Sequence, residues 1–303
     1  MTRIRIGSRG SMLALAQSNW VKHQLEAHYP QAQVDLTIIK TSGDQFVDQP
    51  IAAIGGKGVF TKEIEDALLR SDIDIAVHSM KDLPTEMVQG LTIAAVPPRE
   101  DARDVLVSRD GRKLNDLRSG ARVATGSLRR RSQLLHHRGD LVLVPIRGNI
   151  DTRLRKLDDG EADALIMAAA GLRRIGREER LTEYLPDEVC VSAVAQGALG
   201  IEARGDGAMG ELLLFLHDSN THAEVTAERA LLEQLGGGCH VPIGARARVS
   251  GDRLAMIAVV AQPDGKSLCR GEISGKASDA VELGRHLAEQ LLEDGADKLL
   301  ASN

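Results

Sequence analysis

Arginine recurs at three places where a β-branched run gives way to a helical pattern. Thr125-Gly126-Ser127-Leu128-Arg129-Arg130-Arg131 is the densest of them. Gly7-Ser8-Arg9-Gly10-Ser11 and Arg147-Gly148-Asn149-Ile150-Asp151-Thr152-Arg153 repeat the arrangement. A cation in a first helical turn opposes the macrodipole and costs roughly 0.3–1 kcal/mol when exposed. An anion seated at the corner reverses that sign, because the helix start and the guanidinium fork then bind it together. Any one corner is equally well a solvated basic helix face. Three in one chain point to a shared cleft for a ligand bearing several carboxylates or phosphates.

Other segments carry different chemistry. His78-Ser79-Met80-Lys81-Asp82 follows directly on the apolar run 73–77. A carboxylate there, among arginine-bearing loops, can stabilise a developing positive charge. The plainer reading makes Asp82 a turn residue before Pro84 and His78 a packed structural histidine. Cys239 lies in Gly236-Gly237-Gly238-Cys239-His240, where glycines free the backbone to present the thiol and His240 can favour the thiolate. Most cysteines are small buried hydrophobes, the reading kept for Cys190 and Cys269. Gly55-Gly56-Lys57-Gly58 fails as a phosphate loop, since Gly58 stands where Ser or Thr must follow the lysine and Ile51 stands where the first glycine belongs. Lys57 suits a loop or lid, and a plain glycine turn serves equally.

The elements that must position these residues alternate in type. Strands are predicted at 3–6, 34–40, 73–77, 91–96, 105–108, 122–124, 141–145 and 164–167. Helices are predicted at 11–28, 61–70 with Thr61 as N-cap, 128–137 and 149–159. Such alternation predicts mostly parallel sheets with helices on both faces, and ligands beside the carboxyl ends of strands. Pro97-Pro98 interrupts the pattern as a crossing between domains. The last third differs: a helix at 223–235, strands at 243–249, 254–261 and 267–273, then a helix over 278–294 with Leu283, Leu287 and Leu291 on one face.

Composition narrows the function. At 303 residues and 43% hydrophobic, the chain suits two or three domains. A net charge of −5 gives no global attraction for nucleic acid or an anionic membrane, so anion binding must come from a local cluster. Aromatics at 2% leave little on which to stack bases. Three widely separated cysteines with no CxxC pair disfavour a zinc or redox site and suit a reducing cytoplasm. The apolar run 12–16 is too short for a signal-peptide core, and no stretch is long enough to span a bilayer.

Taken in order, these motifs resemble the porphobilinogen deaminase family over nearly the whole chain. The likeness rests on Gly-Gly-Lys-Gly at 55–58, Asp-Ile-Ala-Val-His-Ser-Met-Lys-Asp at 74–82 and Ser-Leu-Arg-Arg at 127–130. It continues through Arg-Gly-Asn at 147–149, Ala-Gly-Leu-Arg-Arg at 170–174, Gln-Gly-Ala at 196–198 and Gly-Gly-Cys-His-Val-Pro-Ile-Gly at 237–244. The resemblance implies two periplasmic-binding-protein-like (type II) α/β domains plus a small α+β C-terminal domain with a three-stranded antiparallel sheet. The implied division is 1–97 with 197–217, then 98–196, then 218–303 carrying the cysteine.

The resemblance also implies a transferase that condenses four porphobilinogen molecules, losing ammonia each time, onto a dipyrromethane cofactor held by a thioether at Cys239. Hydrolysis then releases hydroxymethylbilane. Asp82 matches the residue that contacts pyrrole N–H groups, steadies the cations formed on deamination and moves protons. Lys81, Ser79, Thr125, Ser127, Arg129 and Arg130 match positions that hold the cofactor. Arg9, Ser11, Gln17, Arg147, Arg153 and Arg174 match the substrate side, with Lys57 in the lid loop. No metal is implied, since attack on a pyrrole needs only a placed carboxylate. The expected setting is a cytoplasmic monomer without nucleic-acid or membrane partners. Ala16, Ala53 and Gly126 depart from patterns common in bacterial members. A non-catalytic two-lobed anion- or solute-binding module is the rival reading, in which the cysteine is dispensable.

Overall fold

The computed structural model describes residues 3–45, 61–237 and 241–301. The chain begins β1 (Arg3–Ser8), α1 (Met12–His28), β2 (Gln33–Ile38), α2 (Ser42–Gln45), α3 (Lys62–Leu69), β3 (Ile75–Ser79) and β4 (Leu91–Ala95). It continues β5 (Asp104–Ser108), β6 (Arg122–Ala124), α4 (Leu128–His137), β7 (Val142–Val144), α5 (Ile150–Asp158), β8 (Ala164–Ala168), α6 (Ala169–Arg174) and β9 (Glu183–Tyr184). After β10 (Leu199–Arg204), α7 (Ala208–Leu213) and α8 (Ser219–Gln234) come β11 (Ile243–Ser250), β12 (Arg253–Ala261) and β13 (Leu268–Lys276). The helices α9 (Ala280–Glu293) and α10 (Ala296–Ala301) close the chain. Two compact units result: Met1–Arg99 with Ala198–Ser219, and Glu100–Gly197 with Asn220–Asn303.

The first unit is built on a five-stranded sheet in the order β2-β1-β3-β10-β4. β1 runs parallel to β2 and β3, whereas β10 is antiparallel to both its neighbours. Alternation along each strand feeds two cores. Ile4, Ile6, Ile75, Val77 and Ile201 face one side with Val21 and Leu25 of α1. Ala76 faces the other with Ile64 and Leu68 of α3.

In the second unit the order is β7-β6-β8-β5-β9, again with one reversed strand: β5 is antiparallel to β8 and β9. The expectation of mostly parallel sheets thus holds for four strands in each sheet and fails for β5 and β10. Neither is delivered by a helical crossover from its sheet neighbour. β5 opens the segment 100–197 and β10 follows it, so each enters its sheet without the βαβ connection that enforces parallel pairing. β10 is also absent from the sequence prediction, because Glu202 and Arg204 break up its apolar run.

The second unit also holds β11-β12-β13, antiparallel throughout. The helix α9 lies along one face with Leu287 and Leu291 buried, as their spacing predicts. Gly271 and Gly275 admit it, since a Cβ at either would sit 2.9 or 2.8 Å from Leu287 or Leu283.

All three arginine corners are helix starts capped by a side chain. Ser11 Oγ accepts from Ala14 N at 3.3 Å, Ser127 Oγ from Arg130 N at 3.4 Å and Asn149 Oδ1 from Thr152 N at 3.1 Å. Each cap satisfies one of the four free N–H groups of its helix and leaves others for a ligand. Thr61 precedes α3 as predicted but makes no side-chain cap, because its backbone is already helical at φ −119°, ψ −31°.

Gly197 has φ +88°, and an added Cβ would lie 2.3 Å from the Glu100 carbonyl oxygen. Gly111 has φ +77° with open space around it. Urea unfolding should therefore show Gly197→Ala losing clearly more than about 1 kcal/mol, and Gly111→Ala losing less because it adds strain without collision.

Candidate active site

Three chain ends converge in the first unit: the end of β1, the start of α1 and the end of β3. Arg9, Ser11, Gln17, Ser79 and Asp82 line one cleft there, together with His78 and Thr61, around about 440 Å³ of empty space. Buried Gln17 donates from Nε2 to Ser79 Oγ at 2.8 Å, joining α1 to the end of β3. Ser18 Oγ donates to Ser8 Oγ at 2.9 Å, and Ser8 Oγ to the Arg9 carbonyl at 3.0 Å, which braces the Arg9 corner.

Beyond β3 the chain makes one tight turn. Met80 N donates to Ala198 O at 3.0 Å and Leu83 N to Met80 O at 3.2 Å. Met80 is buried as the anchor, and Asp82 is left exposed at the cleft while Lys81 is half-buried on the same turn. An exposed carboxylate beside a guanidinium and two side chains that donate hydrogen bonds can bind N–H groups and steady a nearby cation.

The second unit places Arg129 and Arg130 differently from the expectation. Both are buried, at 5% and 6% exposure, around Asp104 at 0%. Arg129 Nη1 donates to Asp104 Oδ2 at 2.7 Å and to Val191 O at 2.6 Å. Arg130 donates to Asp104 Oδ1 from Nε at 3.0 Å and Nη2 at 2.7 Å, and from Nη1 to Ile166 O at 3.1 Å. Neither a solvated helix face nor a pair of open forks describes them: two cations share one carboxylate, leaving one net positive charge. Burial pulls the Asp104 carboxyl upward, but the two guanidinium charges outweigh it and hold it well below the ordinary carboxylate range.

Around that triad, Thr125 Oγ1 accepts from Ser127 N at 3.2 Å, shaping the loop ahead of α4. A Cβ at Gly126 would stand 2.9 Å from Ile146 O, so glycine suits this backbone at a position where the chain departs from the pattern it resembles. Arg147 is exposed. Arg153 is half-buried and braces its own corner, Nε to Gly148 O at 2.8 Å. Arg174 Nη2 donates to Gly197 O at 2.6 Å, and burial pushes its guanidinium down to about 10. Cys190 is the inert thiol the sequence suggests, pushed up to about 12 by burial. Lys57 and Cys239 lie outside the described residues.

Three acids escape the sequence reading. Asp104 falls just before the strand predicted at 105–108, Glu65 reads as an acid in the first turn of a helix, and Glu202 lies where no element is predicted. A charge between two apolar residues, Ile201 and Ala203, is the one local signal Glu202 offers, whereas Asp104 follows Arg103 and offers none.

Two family models match this chain. One, described as porphobilinogen deaminase, dipyromethane cofactor binding domain, covers residues 4–210, and the other, porphobilinogen deaminase, C-terminal domain, covers residues 222–293. The porphobilinogen deaminase of Trichlorobacter lovleyi is 52% identical over 299 residues, 98% of this chain and 96% of that protein. That of Geobacter metallireducens is 51% identical over 300 residues, 99% and 94% respectively. Solved structures match more loosely. The periplasmic aliphatic sulphonate binding protein SsuA of Escherichia coli is 15% identical, covering 77% of this chain and 70% of its own, at a TM-score of 0.40. The methionine binding protein MetQ is 14% identical, covering 75% and 94%, at 0.43.

The ion triad makes a test of its own. Asp104→Asn leaves two buried guanidinium groups facing a neutral amide, and should cost about 3–5 kcal/mol in urea unfolding at pH 7. The folded carboxyl titrates below its unfolded value of about 3.9, so its contribution is full above that pH and is lost as the pH falls below it. The gap between wild type and variant should therefore narrow on acidification through that range.

Proposed function

The chain belongs to the porphobilinogen deaminase family, and on that premise we propose that it is a transferase condensing four porphobilinogen molecules into hydroxymethylbilane on a dipyrromethane primer joined to Cys239 by a thioether. The observation that carries the reading is the first-unit cleft, where an exposed carboxylate, Asp82, stands beside Arg9, Ser11, Gln17 and Ser79.

The residues suit such a ligand. Each ring brings two carboxylates and one N–H, and the two units offer arginines, capped helix starts and one carboxylate. Asp82, Ser79, Lys81, Thr125, Ser127 and the start of α4 would hold the primer. When bound, the primer supplies a nucleophilic pyrrole carbon. Buried Arg129 and Arg130 serve by carrying a net positive charge beneath that corner, which keeps its field through the protein interior where water does not screen it.

On the substrate side, Arg9 and Arg147 pair with ring carboxylates, Ser11 and Gln17 orient them, and Arg153 and Arg174 hold the backbone of the receiving corners. Lys57 belongs to the same set as a lid residue. As ammonia leaves the aminomethyl group, the cation left on the substrate pyrrole is steadied by the Asp82 carboxylate, which accepts the pyrrole N–H. Formation of the new carbon–carbon bond leaves one excess proton at the attacked carbon, and Asp82 is the group placed to accept it. Arginine suits these contacts better than lysine, because its fork pairs with both oxygens of a carboxylate and stays charged.

Among the described residues no helix is long and apolar enough to cross a membrane, and Cys190 and Cys269 are free thiols. The free thiols accord with a reducing compartment, and the setting we propose is a cytoplasmic monomer. We also keep the division into three domains, with 218–303 as the cysteine-bearing third.

Intact mass spectrometry of protein purified from cells should show an excess matching two linked pyrrole rings, mapping to Cys239 and lost in Cys239→Ser. Active protein with an unmodified Cys239 overturns the reading, as does protein that binds anions without consuming porphobilinogen. Asp82→Ala should keep the primer mass while turnover falls by about 10²-fold or more. A near-normal rate removes Asp82 from its role.

A further inference from the structure

Beneath the first-unit cleft lies a group of ionisable side chains that the reaction above leaves without a task. Glu202 of β10 is the register partner of Ala76 on β3, so it lies on the face of the sheet that α3 covers. His78 lies two residues along β3 on the same face. Its Nε2 stands 3.0 Å from Glu202 Oε2, and both side chains are buried. The second oxygen, Glu202 Oε1, has no hydrogen-bond partner among the described residues. From α3 comes Glu65, also buried. Burial, and then the Glu202 charge, push its carboxyl above the ordinary range.

This is a poor way to stabilise a sheet. Apolar side chains would fill the space without desolvating a carboxylate that is only half satisfied. Buried ionisable groups of this kind gather where a site requires them. Here they sit against the strand that ends in the Asp82 turn. On that same face, two residues before Glu202, Gly200 lets β10 press against Met80, where any Cβ would be 2.7 Å from the sulfur. Glu202 holds His78, the residue before Ser79. Two neighbouring positions on one face of β10 thus hold the turn.

We propose that Glu202, acting through His78, is a positioning residue that sets the Ser79–Asp82 turn for catalysis. The role rests on the reaction proposed above. The ionisable group that faces the pair among the described residues is Glu65 from α3, while Asp82 shares the cleft lining with His78. Glu65 holds its proton to higher pH than an ordinary carboxylate, chiefly because it is buried.

The test uses the full-length holoenzyme and porphobilinogen. Glu202→Gln keeps shape and removes the charge, and His78→Gln removes the ring. Each should lower kcat at least about tenfold with KM within about threefold, while primer mass and the unfolding midpoint hold. The double variant should lose no more than either single one, because the two act as a unit. The pH profile of kcat should also move in Glu202→Gln, a change that a packing role would not produce. Wild-type kcat and pH profile in either single variant overturn the proposal, as does a fall in kcat that merely tracks lost primer or lost folded protein. Should Glu202→Gln fail to fold, His78→Gln decides alone. A wild-type holoenzyme that does not consume porphobilinogen overturns the reaction itself, an outcome distinct from any of these.

Discussion

Residues 190–197 run through the interior of the second unit without regular structure, so every buried N–H and carbonyl there must find a partner outside a helix or sheet ladder. Side chains supply many of them. Arg129 and Gln133 of α4 donate to Val191 O at 2.6 and 3.1 Å, and Gln133 Oε1 accepts from Val191 N at 2.7 Å. Glu228 of α8 accepts from Ala195 N at 2.5 Å and from Ala247 N of β11 at 2.7 Å. Ser192 O accepts from Ala245 N at 2.9 Å. Gln196 donates to Asp104 at 2.8 Å, and Arg174 to Gly197 O at 2.6 Å. One irregular segment therefore ties together the arginine helix α4, the strand β11 and the buried acid of the ion triad.

That arrangement explains why a chain of net charge −5 can maintain strongly positive corners. The guanidinium groups of Arg129, Arg130 and Arg174 are not spread over the surface, where salt would screen them. They are set in the protein by backbone carbonyls and one carboxylate, the first two of them on the helix whose start Ser127 caps. Preorganised charge of this sort needs no rearrangement when an anion arrives. In the first unit the balance differs. Its cleft keeps a carboxylate exposed and locates it by apolar anchoring of Met80 and by the His78–Glu202 contact.

Much of this was legible in the sequence, for definite reasons. Leu283, Leu287 and Leu291 lie on one helical face by spacing alone, and α9 buries two of them fully. Ser127 and Asn149 precede helices and cap them, while Thr61 does not, because its backbone turns helical one residue early. Arg9, Ser11, Gln17, Ser79 and Asp82 were assembled from motifs far apart in the chain, and the structure gathers all five at one cleft. Glu65 was not legible, because nothing near it in sequence distinguishes a buried acid from a solvated one, and Glu202 showed only its apolar neighbours Ile201 and Ala203.

Local chemistry was determined by the residues themselves: the period of apolar positions, the caps, the glycines where φ is positive, and the motif order that marks the family. Only the tertiary structure decided which charges face water. Arg129 and Arg130 look exposed until Asp104, 25 and 26 positions earlier, is brought beneath them. His78 looks like a packing residue until β10, which follows the second sheet's strands in the sequence and pairs antiparallel with β3, brings Glu202 to 3.0 Å from its ring, 124 positions away. The strand direction and the burial of an ion depend on what the chain delivers from a distance, and spacing along a single segment carries no record of it.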